Sequence, residues 1–125
     1  MIKDSIILGI DPGTNIMGYG VIKKRGDKID FLCLDVLLLT RTENHHLKLK
    51  KIFEKTSELI KIFSPNEIAV EAPFFGKNPQ SMLKLGRAQG AVIIASMTHN
   101  LPITEYAPKK IKMAITGYGQ ASKEQ

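Results

Sequence analysis

Two carboxylates stand where chemistry could use them. The apolar run Ser5-Ile6-Ile7-Leu8-Gly9-Ile10 ends in Asp11 and is followed at once by Pro12-Gly13-Thr14. Sixty residues later Glu67-Ile68-Ala69-Val70 ends in Glu71, before Ala72-Pro73-Phe74-Phe75. Near-continuous apolar strands are the signature of parallel sheets covered on both faces, where an isolated ionised carboxylate is costly unless a cation or donors compensate it. Neighbouring strands lie roughly 4.8 Å apart, so acids on adjacent strand tips can share a divalent metal. Each residue also has a plainer reading. Asp-Pro-Gly is good turn chemistry, with Asp accepting backbone hydrogen bonds, Pro presetting φ and Gly supplying φ > 0. Glu71 reads equally as a partly exposed strand end whose carboxylate reaches solvent or a helix N-terminus, with Pro73 forcing an extended exit.

The elements that must position these acids follow from periodicity. After the Asp11 turn, Met17 to Ile22 reads as a second strand, Lys23 to Lys28 as a polar hairpin centred on Gly26-Asp27, and Ile29 to Thr40 as a third strand. Leu49, Ile52, Phe53, Thr56, Leu59, Ile60 and Phe63 then recur at spacings of three and four, an amphipathic helix that ends at Ser64-Pro65. The strand to Glu71 comes next, then a loop over Phe74 to Pro79 and a second helix from Gln80 to Thr98. The later half of that helix, Ala88 to Met97, is apolar on nearly every side, which predicts burial all round. Gly86 and Gly90, one turn apart, lower helix propensity; core packing against the sheet is the plainer reading and a homodimer face the alternative. A short strand, Pro102 to Tyr106, precedes a helix over Pro108 to Ile115. Three meandering strands followed by helix, strand, helix, strand, helix predict a mixed sheet whose first, fourth and fifth strands are parallel. Right-handed crossovers put the fourth strand beside the first, with Asp11 and Glu71 side by side at the carboxyl edge, the usual ligand side of open α/β sheets.

Composition narrows the partners. The 125 residues fit one domain, and 18 Lys and Arg against 12 Asp and Glu give a net charge of +6, a modest pointer to an anionic partner. Cys33, the single cysteine, excludes an internal disulfide and reads as a small buried hydrophobe. No apolar segment reaches the roughly twenty residues that cross a bilayer, and the N-terminus lacks a signal peptide's basic start and cleavage site, so the expected location is the cytoplasm. His45 and His46 are adjacent and His99 is alone, so no zinc-site spacing is present, nor is a Walker A loop.

Taken in order, Leu8-Gly9-Ile10-Asp11-Pro12-Gly13-Thr14 with Gly18-Tyr19-Gly20, Val70-Glu71, Phe74-Phe75-Gly76-Lys77-Asn78, Leu83-Lys84-Leu85-Gly86-Arg87-Ala88 and Ala121-Ser122-Lys123-Glu124-Gln125 resemble the RuvC family of Holliday junction resolvases. The resemblance runs from about residue 5 to the last residue. It implies an α/β, RNase H-like (ribonuclease H-like) mixed five-stranded sheet of order 3-2-1-4-5, in a magnesium-dependent endodeoxyribonuclease that works as a homodimer and nicks opposing strands of a four-way DNA junction during recombination and repair. Under it Asp11 and Glu71 match the first two members of the acidic tetrad that binds metal, Mg2+ with Mn2+ as a substitute, and Phe74 matches the aromatic that stacks on a base. Lys112 and Lys123 align with positions that face DNA, and RuvA and RuvB are implied branch-migration partners.

The residues agree with that chemistry. Two metal ions about 3.5–4 Å apart activate water and stabilise the leaving oxygen at phosphorus, which needs several carboxylates and little else. Stacking on an unpaired base contributes roughly 1–3 kcal/mol, and Phe74 or Phe75 could supply it, with core packing the competing reading for Phe75. Lys77, Asn78, Lys84, Arg87, Lys109, Lys110, Lys112 and Lys123 are the candidate DNA contacts, each competing with a merely solvated charged face.

Two departures from the family pattern matter. The family's last two acids lie on a C-terminal helix that this sequence does not reach; Ser122 with Gln125 matches a helix-starting capping box at its last residues. The expectation is therefore a single domain over 1–125, C-terminally truncated rather than naturally tailed, with nuclease activity absent or nearly so. Tyr118, between two glycines, replaces a smaller polar residue. The competing functions are an actin-like ATPase or sugar-kinase fragment, whose phosphate hairpin also follows a strand-Asp-x-Gly-Thr pattern, and a non-catalytic module that binds junctions or dimerises.

Overall fold

The computed structural model describes residues 4–72 and 78–106. They form β1 (Asp4–Asp11), β2 (Ile16–Arg25), β3 (Lys28–Leu38), α1 (His45–Phe63), β4 (Glu67–Glu71), α2 (Pro79–Thr98) and β5 (Ile103–Tyr106) in one sheet of order β3-β2-β1-β4-β5. The meander is antiparallel, turning at Gly26 with φ 59°, and β1, β4 and β5 are parallel. Order and directions are those read from the sequence. The segment proposed as a helix over Pro108 to Ile115 lies outside the described residues.

Local chemistry sets the helix ends. Asn44 caps α1 by accepting from the Leu47 amide at 3.0 Å, and Asn78 caps α2 by accepting from Gln80 and Ser81 at 2.9 and 3.3 Å, with Pro79 in the first turn. Helix α1 stops where Ser64 adopts a left-handed conformation and Pro65 follows. Asn66 then accepts from the Ile6 amide at 2.7 Å, fixing the entry of β4 beside β1.

Both helices pack on one face of the sheet. Leu8, Ile10, Met17, Tyr19, Val21, Ile68 and Val70 meet Ile52, Leu59 and Ile60 of α1 and Ala88 and Val92 of α2. Burying each large side chain of this set contributes about 1.5–3 kcal/mol. The buried hydroxyls of Thr56 and Ser96 donate to the carbonyls of Ile52 and Val92, each at 2.8 Å, so neither is left unsatisfied.

Two expectations of burial fail. The later half of α2 is not buried all round: Ala95 is inaccessible, but Ile94 and Met97 are more than half exposed. A Cβ built on Gly86 or Gly90 would meet nothing within 4 Å, so these glycines lie on the open side of the helix and not against the sheet. On the far face, cross-strand pairing sets Ile16 beside Leu38, Gly18 beside Val36, Gly20 beside Leu34 and Ile22 beside Phe31; Ile16, Phe31, Leu34, Val36 and Leu38 are all exposed. The apolar content of β3 therefore does not mean burial on both sides, and Cys33 is only partly buried. Among the described residues no helix is long and apolar enough to cross a membrane.

Candidate active site

Parallel pairing of β1 with β4 matches Leu8 to Ile68 and Ile10 to Val70. Asp11 and Glu71 each lie one residue beyond the last matched pair, so they end adjacent strands at the same edge. Strand residues alternate faces. Ile10 and Val70 are fully buried under the helices, which directs Asp11 and Glu71 to the other side of the sheet. Asp11 is exposed and Glu71 half-buried. The cost expected of a carboxylate inside a closed sheet does not arise for Asp11, because the tip is open to water.

The turn after Asp11 works differently from the sequence reading. The Asp11 side chain makes no hydrogen bond or ion pair among the described residues, so its carboxylate is not spent on closing the turn. Gly13 is required by space rather than by a positive φ: a Cβ there would lie 2.3 Å from the Ile16 carbonyl oxygen. Opposite Asp11 on β2 is Gly18, where an added Cβ would sit in ordinary contact, 3.7 Å from the Asp11 Cβ. Glycine here keeps the flank of the acid free of side chains. Two hard oxygen donors at one edge, one of them without a side-chain partner among the described residues, fit a divalent cation of the magnesium type. Among the described residues no group of three or more His, Cys, Asp or Glu is gathered in a metal-binding arrangement.

Both helices begin at this same edge. β3 ends beside the start of β2, which faces the end of β1, so α1 starts there; α2 starts there because β4 runs parallel to β1. Neither helix has an acid in its first turn, so no helical carboxylate offsets either positive dipole end. Lys84 and Arg87 lie exposed on the second and third turns of α2. Their charges, with those of Lys48 and His46, and above all burial, hold the His45 imidazole below its ordinary range; burial is the largest cause. The Asn78 carbonyl is committed to capping α2. Phe74, Phe75, Lys77, Lys109, Lys110, Lys112, Tyr118 and Lys123 lie outside the described residues. Sequence reasoning missed Lys48, whose ammonium reaches the Asn15 side chain at 3.3 Å in the turn that follows Asp11. A link between residues 33 positions apart leaves no periodic signal.

Residues 7–125 match the family described as Crossover junction endodeoxyribonuclease RuvC. The protein of that name from Christiangramia forsetii is 62% identical over 123 residues, covering 98% of this chain and 64% of the relative. Its counterpart from Bacteroides fragilis is 57% identical over 124 residues, covering 99% and 66%. The chain thus spans just under two thirds of the length of these relatives. A solved structure, T. thermophilus RuvC in complex with Holliday junction substrate, superposes with a TM-score of 0.80 at 32% identity over 96% of this chain and 73% of that one. The five-stranded order 3-2-1-4-5 is the RNase H-like arrangement of that fold.

Proposed function

Because this chain belongs to the RuvC family of crossover junction endodeoxyribonucleases, we propose that it is the acid-bearing domain of a metal-dependent nuclease that resolves four-way DNA junctions. The observation that carries the reading is the placement of Asp11 and Glu71 at the ends of adjacent parallel strands, on one face, with Asp11 free of any partner among the described residues. These two carboxylates would hold Mg2+, or Mn2+ in its place, and such ions supply an activated water and charge neutralisation at phosphorus. The protein's own part is to hold the two acids at one strand edge, with Gly13 keeping the turn tight and Gly18 leaving space beside Asp11.

Phosphate recognition falls to Lys84 and Arg87 at the start of α2, with Lys77, Asn78, Lys109, Lys110, Lys112 and Lys123 as further contacts and Phe74 or Phe75 as the base-stacking ring. The neighbour crystallised with a Holliday junction supports the substrate class. A homodimer forms through the open face of α2, where Leu83, Ile94 and Met97 are exposed around Gly86 and Gly90; small residues there admit a close-packed helix. RuvA and RuvB are the proposed branch-migration partners.

Two-metal hydrolysis draws on more carboxylates than the two that meet at this edge among the described residues, so the 125 residues expressed alone are expected to bind a junction without nicking it. A labelled synthetic four-way junction, incubated with this polypeptide and Mg2+ beside a linear duplex, tests the reading. Junction-selective binding without cleavage is expected. Equal affinity for both DNAs would remove the resolvase assignment, and Asp11-dependent symmetric nicks would refute the claim that further acids are needed.

A further inference from the structure

Cations on the early turns of the two helices form a cluster with no ion-pair partner among the described residues. Lys48 of α1 and Lys84 and Arg87 of α2 all bear electrostatically on one ring, that of His45, whose Nε2 is buried without a hydrogen-bond partner. The ion pairs among the described residues are Lys23 and Arg25 with Asp4, and Lys55 with Glu58; none involves Lys48, Lys84 or Arg87. Glu43, in the loop before α1, is exposed and likewise unpaired among them. Like charges brought together repel, and a fold tolerates that repulsion at low cost only where the groups reach solvent or an external anion. Burial and these cationic neighbours disfavour protonation of His45, so its ring adds no charge to the cluster.

The cluster is tied to the acid-bearing turn. Lys48 holds Asn15 at 3.3 Å, four residues after Asp11, while the neighbouring Lys51 donates to Thr42 at 2.9 Å in the loop that leads into α1. An anion resting on Lys48 therefore lies beside the turn that aims Asp11, on the helix-bearing side of the edge, whereas the carboxylates face the other side.

We propose that Lys48, Lys84 and Arg87 together bind a phosphodiester group of the nucleic acid, making the start of α1 part of the DNA contact surface. Arg87 can offer a planar pair of donors to phosphate oxygens, and the two lysines act as point charges. This rests on the resolvase reading above and extends it to a residue, Lys48, that the family resemblance did not mark.

The test is the salt dependence of junction binding by fluorescence anisotropy, read for the wild-type chain, Lys48→Gln, Lys84→Gln and, as a control at the far end of α1, Lys61→Gln. Each phosphate contact removed reduces the slope of log K against log salt by about one. The expected result is a slope reduced by about one in Lys48→Gln and in Lys84→Gln and unchanged in Lys61→Gln, with wild-type Mn2+ affinity in all three. If Lys48→Gln keeps the wild-type slope, the site is refuted although the chain still binds junctions. If its Mn2+ affinity falls while the slope is unchanged, Lys48 only props the Asp11 turn, which also refutes it. Failure of the wild-type chain to bind any junction removes the resolvase reading itself.

Discussion

β1 carries an aspartate at each end, and the two are treated in opposite ways. Asp4 receives Arg25 through Nε at 2.5 Å and Nη2 at 3.0 Å, with the Lys23 ammonium at 3.2 Å. The Arg25 hydrogen bond, above the other causes, holds the Asp4 carboxyl below its ordinary range. Asp11 faces Gly18 across the same pair of strands and has no partner among the described residues. The antiparallel register that sets Arg25 against Asp4 sets a glycine against Asp11, so one hairpin neutralises the first acid and clears space around the second. The difference separates a carboxylate paired within the fold from one left open, as the proposed metal site requires.

The contrast breaks most severely if the Asp4 arrangement is transplanted. Gly18→Lys places an ammonium within reach of Asp11, the added Cβ being accommodated at ordinary contact distance. Mn2+ affinity, measured by calorimetry, is expected to fall about tenfold or more, the equivalent of about 1.4 kcal/mol, while the melting temperature holds or rises. Unchanged affinity would place the metal away from Asp11.

Next in size is Gly13→Ala. Its Cβ would collide with the Ile16 carbonyl, so the turn must shift at a cost of about 1–3 kcal/mol, read by urea denaturation, with weaker Mn2+ binding as Asp11 is re-aimed. A stable variant with normal metal affinity would show that the turn is not what positions the acid.

Asp4→Asn sharpens the comparison from the other end: a small fall in melting temperature, diminished further by salt, and no change in metal or DNA binding. Because the folded-state pKa of Asp4 lies below its unfolded value, the pair stabilises the fold above about pH 4. That contribution is lost as pH falls through the lowered pKa, and the difference between wild type and Asp4→Asn should vanish there.

His45 behaves inversely. Its folded-state pKa lies below the unfolded one because the neutral ring is favoured, so stability should be full above about pH 6.5 and decline as pH falls and the unfolded chain takes up the proton first. His45→Asn is expected to flatten that decline between pH 7.5 and 5.5 in thermal melts. An unchanged profile would show that the ring is not held neutral in its cluster.

Much of this architecture was legible beforehand because period and punctuation carry it. The strand ending in Glu71, the α1 stripe of Ile52, Thr56, Leu59 and Ile60, and the meander turning at Gly26 were all read from spacing, and the strand order followed from crossover handedness. Exposure was not legible. Ile94 and Met97 on α2 and Phe31 and Leu34 on β3 look like core residues in sequence, yet composition says nothing about which side of an element another element covers. The positions of Asp11 and Glu71 could be inferred, since each ends an apolar strand. The role of Gly13 was misassigned because a space requirement and a φ requirement select the same residue. The gathering of Lys48 with Lys84 and Arg87 depends on how α1 and α2 pack, which no local pattern encodes.

Whether Asp11 and Glu71 act as one metal site is read from a double-mutant cycle on Mn2+ affinity, using Asp11→Asn, Glu71→Gln and the combination. One shared site predicts that each single variant loses most of the affinity and that the double variant loses little more than either. Additive losses, or a single variant that binds Mn2+ as wild type does, would mean that the two strand ends do not share an ion.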